Sequence, residues 1–318
     1  MNVYKTLIGK NGYLFLQNDS ARELEVHCNN LCLVSDNFYK KYLNDKHKLL
    51  HIVMPNKSYI CNKYLPDGYN CIFRPGYEKY VSFFSNHLLD GVTCLKNDDE
   101  NVFYKTDTHM NLYGAYIMYK SFVRKTNELF DLQIEYRKIY IQKMENVILR
   151  NIGGKGIGDL TWHMNLGDQI LDNIEDDYFY TNDFEEIYMS YKIADDFVNG
   201  EVILPTCASN SSTSVSGNLS IIRILQFNNK SLSDVTSLNI GTVIDWHIIS
   251  KYILYKKNNI IPAHKVLIFY DSFLLSTLPL YISMFNEIYL SKSAFNNDLI
   301  ELINPDYIFV FQVERFMR

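Results

Sequence analysis

The stretch HKVLIFYDSFLL, residues 264–275, decides the fold. Its run Val266–Tyr270 is uniformly apolar and short, bounded by Lys265 on one side and Asp271-Ser272 on the other. A run of that length without polar alternation reads as a strand buried on both faces, the kind found inside a parallel sheet. The apolar positions after Ser272 fit a helix. Strand, turn and helix with a serine at the turn form the repeating unit of an open α/β sheet, whose sites collect at the carboxyl ends of the strands. The longer segment 264–285 has the length of a membrane span, but it contains Asp271 and Pro279. A charge at a helix centre costs about 2.5–3.5 kcal/mol on insertion scales, so a buried strand and helix is the better reading.

Working outward, the same rhythm recurs. KLLHIVMPNK (48–57) reads as a strand closed by Pro55, YEKYVSFFSNHLL (77–89) as a helix, GVTCL (91–95) as a short strand, and NLYGAYIMYKSFVRKTNELF (111–130) as a longer helix. After 264 the alternation continues through EIYLS and DLIELI to DYIFVFQ (306–312), a last strand expected to pair with the one ahead of Ser272, since both are continuous apolar runs. Between 131 and 240 the pattern loosens into short runs such as LQIEYRKIYIQK and SIIRILQF around the loop CASNSSTSVSGN (207–218). The expectation is a single α/β domain over 1–318, layered around a mostly parallel sheet, with an inserted or accessory β-rich segment at 131–240. No internal repeat of fixed period is present.

Composition narrows the function. The chain has 318 residues, a formal charge of −5 and a pI near 5.9. It carries no basic field to hold a phosphate backbone, so nucleic acid is not an expected partner. Six cysteines (Cys28, Cys32, Cys61, Cys71, Cys94 and Cys207) lack paired C-x-x-C spacing and read as reduced thiols, neither a zinc knuckle nor a disulfide framework. The start, MNVYKTLIGKNGYLFLQNDS, has no apolar signal core, which points to the cytoplasm. In that setting Asn-x-Ser triplets such as NKS (56–58) do not read as glycosylation sites.

Three residues invite chemistry. Ser272 falls where the strand stops, at the carboxyl edge of the sheet, where free N–H groups can face a developing oxyanion; a serine there also serves as a helix N-cap. In FYKTDTHMNLYGAY (103–116), Asp107 and His109 are two apart on an extended segment and point to one side, so the carboxylate can hold the imidazole that would deprotonate a serine. Asp107 could equally cap the helix expected from 111, and His109 could be a structural histidine at the junction. GGKGIGD (153–159) lacks Walker spacing and reads as a turn near the site. Asp159 and His163 could extend a metal-binding group with Asp107, His109 and Asp271, although without a recognised ligand spacing. His247 reads as a core or surface residue.

Taken in order, several stretches resemble the alginate O-acetylation proteins of the SGNH hydrolase-like group. YKTDTHMNLYGAY is similar to their Asp-x-His-Trp signature with its following Gly-Ala pair; GKNGYLFL (9–16) to an opening Gly-x-x-Gly-Trp-Leu-Phe element; VMPNKSYICNKYLP (53–66) to a Pro-x-Lys segment; GIGDLTWHM (156–164) to a Gly-Asp-Leu loop; YDSF (270–273) to a Gly-Asp-Ser-Phe motif; and VERF (313–316) to the ending. The resemblance implies an SGNH-like three-layer sandwich with Ser272 as nucleophile, His109 as general base and Asp107 as its orienting carboxylate. It implies a serine-dependent carbohydrate O-acetyltransferase or acetylesterase working through an acyl-serine, with an acyl donor and a carbohydrate acceptor as partners and no metal or cofactor. Two positions depart from the pattern: Tyr270 stands where the family has glycine, narrowing the approach to the oxyanion, and Met110 where it has tryptophan, removing an aromatic platform for a sugar. The alternatives are a metal-dependent phosphoesterase built on the same Asp and His residues, and a non-catalytic glycan-binding module.

Overall fold

The computed structural model describes residues 5–30, 48–96, 101–136, 139–149, 159–162, 173–182, 187–189, 197–198, 201–202, 212–214, 223–228, 231–234, 243–245, 253–258, 260, 262–282 and 284–316. The strands in chain order are β1 Thr6–Ile8, β2 Leu14–Leu16, β3 Lys48–Met54, β4 Leu88–Asp90, β5 Ile139–Leu149, β6 Asn173–Asn182, β7 Ile187–Met189, β8 Phe197–Val198 and β9 Glu201–Val202. They continue with β10 Ser212–Ser214, β11 Arg223–Phe227, β12 Leu232–Asp234, β13 Val243–Asp245, β14 Ile253–Lys257, β15 Lys265–Phe269, β16 Glu287–Ser291 and β17 Tyr307–Val313.

Eight of these form one sheet in the order β12-β11-β14-β16-β15-β17-β3-β4. From β16 to β4 every neighbour is parallel, while β14, β11 and β12 extend the sheet antiparallel at one edge. The last strand does pair with the serine-bearing one: Val266 of β15 lies opposite Tyr307 and Phe269 opposite Val310. β17 therefore sits between β15 and β3, so the last strand of the chain lies beside the first strand of this sheet.

Strand alternation divides the core in two. Leu50, Ile52 and Met54 of β3 face a cluster that includes Met118, Tyr119 and Phe122 of the helix Leu112–Phe130, whereas Leu49 and Val53 face Tyr80 and Phe84 of the helix Tyr77–Phe84 and Leu299, Ile300 and Ile303 of the helix Asn297–Ile303. Helices on both faces of the sheet make three layers. Phe122 is fully buried, with its ring edge-on to Phe309 at 4.8 Å and tilted against Tyr281 and Phe311, each at 5.3 Å. Truncating such a side chain to alanine costs about 3–5 kcal/mol.

The helix Leu112–Phe130 begins where Asn111 Oδ1 accepts from Gly114 N at 2.9 Å and ends with Asp131 in the left-handed region at φ 54°. Gly114 is required by close approach, since a Cβ there would overlap the carbonyl of Val102. GVTCL is a helix, Gly91–Leu95, and not the expected strand. The reason is local: Asp90 caps it, accepting from Val92 N at 3.2 Å and Thr93 N at 3.3 Å, and these bonds outweigh the strand preference of the valine and threonine. The helix expected over 77–89 stops at Phe84, with Ser85 at φ 48°, and its last two leucines belong to β4.

Between 131 and 240, β5, β6 and β7 form a separate antiparallel sheet, while β11 and β12 belong to the edge of the main one. Among the described residues no helix is long and apolar enough to cross a membrane.

Candidate active site

The residues around His109 form a tight excursion from an antiparallel bridge. Phe103 and Met110 pair, Asn111 N donates to Val102 O at 3.1 Å, and the intervening residues loop out at the start of the long helix. Inside the loop the Asp107 side chain folds forward over two residues. Its Oδ1 accepts from His109 N at 2.9 Å and lies 2.6 Å from His109 Nδ1, so the ring holds its proton on Nδ1 and keeps Nε2, itself buried, as the basic nitrogen. The helix cap is Asn111, which leaves Asp107 to the imidazole. The Asp107 side chain is 3% exposed and that of His109 21%, so the pair sits in a largely dry environment. Burial pulls the His109 pKa down, but the charge and hydrogen bond of Asp107, joined by the charge of Asp159, more than offset it and hold the ring above its ordinary 6.5.

Asp159, which stands in the Gly-Asp-Leu stretch and is also a possible metal ligand by sequence, is bound into this loop. Its Oδ1 accepts from Thr108 N at 2.7 Å, its Oδ2 accepts from the Thr108 hydroxyl, and its own N–H donates to Asp107 Oδ2 at 3.3 Å. Leu160 N donates to Thr106 O at 3.2 Å, and Thr6 Oγ1 to Leu160 O at 2.6 Å. Asp159 and Leu160, at the start of the short helix Asp159–Trp162, thus dock on the His109 loop; the turn expected over 153–159 lies, up to residue 158, outside the described residues. Burial and the nearby Asp107 charge push the Asp159 carboxyl up.

Lys57, the lysine of the Pro-Asn-Lys stretch, is 2% exposed and donates to Lys105 O at 2.6 Å and Asp107 O at 2.9 Å. Its ammonium lies 5.6 Å from the Tyr13 ring and 5.5 Å from the Phe15 ring, both in the GYLF stretch, and Leu14 N donates to Lys105 O at 2.8 Å. A buried ammonium is tolerable because carbonyls and aromatic faces replace its water. Asn56, in the NKS triplet, is fully buried and bonded to His27 and Arg315, which makes it structural.

On the other side, β15 ends and Tyr270 N donates to Ser291 O at 3.0 Å. Asp271 then accepts twice from backbone, Oδ1 from Phe273 N at 2.9 Å and Oδ2 from Val313 N at 2.6 Å, tying the turn to the end of β17. Asp271 does the capping, so the Ser272 hydroxyl is not needed for it. Ser272 is half-buried at the head of the 3-10 turn Ser272–Thr277. Burial raises the Asp271 carboxyl despite its two backbone donors. Phe273 packs on His109, ring centroids 4.9 Å apart, and this contact joins the two segments at the carboxyl edge of the sheet. Arg315 of the VERF ending lies 5.5 Å from the Phe273 ring, held by Glu23 at 3.0 Å and Asn56 at 3.2 Å.

Neither departure from the motif pattern lies open. Tyr270 is 3% and Met110 1% exposed, and both belong to the core cluster beneath the long helix. Beside the Ser272 turn, a cavity of about 300 Å³ is lined by His51, Phe269, Tyr270, Asp271, Lys292 and Gln312 among others. Burial holds His51 neutral, its pKa down at about 3. Burial also lowers Lys292 to about 8, although Asp271 acts to raise it.

The ligand atoms of Asp107, His109 and Asp159 lie within 4.8 Å of one another, a spacing that suits a cation. The four carboxylate oxygens each accept from a protein donor, however, and His109 Nδ1 faces Asp107. That wiring fits an oriented base better than an open donor set. His163 and His247 lie outside the described residues.

No family model matches the chain, and no curated protein does. Solved structures do. Bacillus cereus PatB1 is similar over 98% of this chain and 96% of its own at 12% identity and a TM-score of 0.52, and its form with a sulfonyl adduct over 99% and 97% at the same identity and score. A DHHW family protein from Eubacterium siraeum covers 97% and 93% at 14% identity and 0.49, and the O-acetyltransferase domain of Pseudomonas putida AlgJ covers 98% and 91% at 11% and 0.48. The chain shares the α/β fold of PatB1, with a mostly parallel eight-stranded sheet between helical layers.

Proposed function

We propose that this protein is a serine-dependent carbohydrate O-acyltransferase or acetylesterase. His109 takes the Ser272 proton through Nε2 while Asp107 holds Nδ1–H and stabilises the imidazolium. The hydroxyl oxygen of Ser272 attacks the acyl carbonyl, the Ser272 N–H contributes to the oxyanion site, and the leaving group departs with the proton returned by His109. A sugar hydroxyl, or water, then gives its proton to His109 and takes the acyl group. Transfer prevails over hydrolysis where the bound acceptor excludes water.

One observation carries this reading: the Asp107–His109 pair, 2.6 Å apart, packs through its imidazole on the residue that follows Ser272. The ordered motifs support it, because each one quoted from the sequence supplies a contact to one of the two segments. The sulfonyl adduct of PatB1 supports it as well, since sulfonyl reagents capture activated nucleophiles.

The test is intact-protein and peptide mass measurement after treatment with a sulfonyl fluoride and, separately, with an activated acetyl ester. A single adduct on Ser272, abolished in His109→Ala, is expected. Adducts scattered over other residues with Ser272 unmodified would defeat the mechanism. The spacing of Asp107, His109 and Asp159 favours one other reading, a metal-dependent phosphoesterase. It requires loss of phosphoester turnover on chelation and its return with a divalent cation.

A further inference from the structure

We propose that Cys28 and Cys71 are a disulfide-forming pair, closed by exchange with a small-molecule or protein disulfide, that clamps the helix Glu23–Asn29 to the segment leading into the helix Tyr77–Phe84. The two Sγ atoms are 2.6 Å apart, inside the contact distance of unbonded sulfurs and a short step from a bond of about 2.05 Å. The flanking backbone is already held in place. Phe73 N donates to His27 O at 3.0 Å, His27 Nδ1 donates to Phe73 O at 2.6 Å, and Cys71 N donates to Asn62 Oδ1 at 2.7 Å. Bonds on both sides of the sulfurs hold the two backbone segments side by side. Nothing in the cysteine spacing announces the pair, because it joins positions 43 apart.

Exposure orders the chemistry. Cys28 is half-buried and Cys71 buried. The Cys28 sulfur, losing its proton, attacks one sulfur of a disulfide RSSR to give Cys28–S–SR and RSH. Cys71, losing its proton, then attacks the Cys28 sulfur and releases the second RSH. Two protein thiols are oxidised and one external disulfide is reduced to two thiols. The bridge fastens the helix that carries Glu23, which in turn holds Arg315 and the Ser58 hydroxyl, the latter at 2.7 Å. A reducing cytoplasm keeps the pair open, and an oxidising compartment closes it.

The experiment treats the full-length protein with glutathione disulfide or with dithiothreitol, alkylates the remaining thiols under denaturing conditions, and maps peptides. The expected result is a Cys28–Cys71 cross-linked peptide short of two hydrogens in the oxidised sample only. The oxidised protein should also melt about 5–10 °C higher than the reduced one. Cys28→Ser should abolish that increment, whereas Cys94→Ser should retain it. Alkylation of both Cys28 and Cys71 after oxidation, or cross-links that join either one mainly to Cys32, Cys61 or Cys207, would overturn the proposal.

Discussion

The His109 loop and the Ser272 turn reach the same edge of the sheet by different means. The loop is wired by side chains: Asp107 grips the imidazole, Asp159 grips Thr108, and Lys57 grips the carbonyls of Lys105 and Asp107. The turn is wired by one side chain acting on backbone, Asp271, which accepts from Phe273 N and Val313 N. In the proposed mechanism the base has its charge tuned by the ionisable groups around it, whereas the nucleophile has its position held by two backbone bonds at a strand end.

The largest effect should fall on the two residues that the proposed mechanism has exchange the proton. Ser272→Ala and His109→Ala are each expected to lower acetyl-ester turnover at least about 10³-fold while leaving the circular dichroism spectrum unchanged. Undiminished turnover in Ser272→Ala would break the comparison, because the turn would then be holding nothing catalytic. Next in size, Asp107→Asn keeps an acceptor for His109 N but loses the charge that stabilises the imidazolium. A loss of about 10²–10⁴-fold in kcat, with melting temperature little altered, is the expected outcome.

Asp271→Ala separates position from chemistry. It strips two buried backbone N–H groups of their acceptor, at about 1–3 kcal/mol each, so denaturant unfolding should show a loss of about 2–5 kcal/mol. Reactivity of Ser272 toward a sulfonyl fluoride should fall with it. If stability is retained, the turn is held by something other than Asp271.

The smallest effect is a pH shift. His109 is held above 6.5 in the folded protein, so turnover that needs the free base should rise with pH through a midpoint above that value. Asp159→Asn removes a charge that raises His109 and should move the midpoint to lower pH, while Arg315→Ala removes one that lowers it and should move the midpoint up. Linkage has the matching sign: a raised histidine pKa contributes stability that is fully present below the unfolded value and lost as pH climbs through the folded one. Asp159→Asn should narrow that window in a set of unfolding curves from pH 5 to 9.

The parts of the site legible in the sequence are those written in local pattern. The β15 strand and the long helix show in their apolar periodicity, and the Asp107–His109 pair shows because two residues of separation is a local geometry. The Gly91–Leu95 helix is not legible in local pattern, because valine and threonine carry strand preference and the Asp90 cap that overrides it is a feature of the folded turn. Lys57, Arg315 and Glu23 stood inside motif stretches, but their roles depend on partners far along the chain: Arg315 and Glu23 are 292 positions apart and bonded at 3.0 Å. The Cys28–Cys71 contact had no signal at all.

By itself the sequence determined the layered α/β class, the strand that ends at Asp271-Ser272 and the carboxylate paired with its histidine, because each follows from hydrophobic period or from bonds between near neighbours. Only the tertiary structure decided that β17 lies between β15 and β3, that the Asp159 charge acts on His109, and that Phe273 meets His109. Those outcomes depend on which buried strands pair and which loops dock on the sheet edge. Interchangeable apolar runs do not encode that choice until they are packed together.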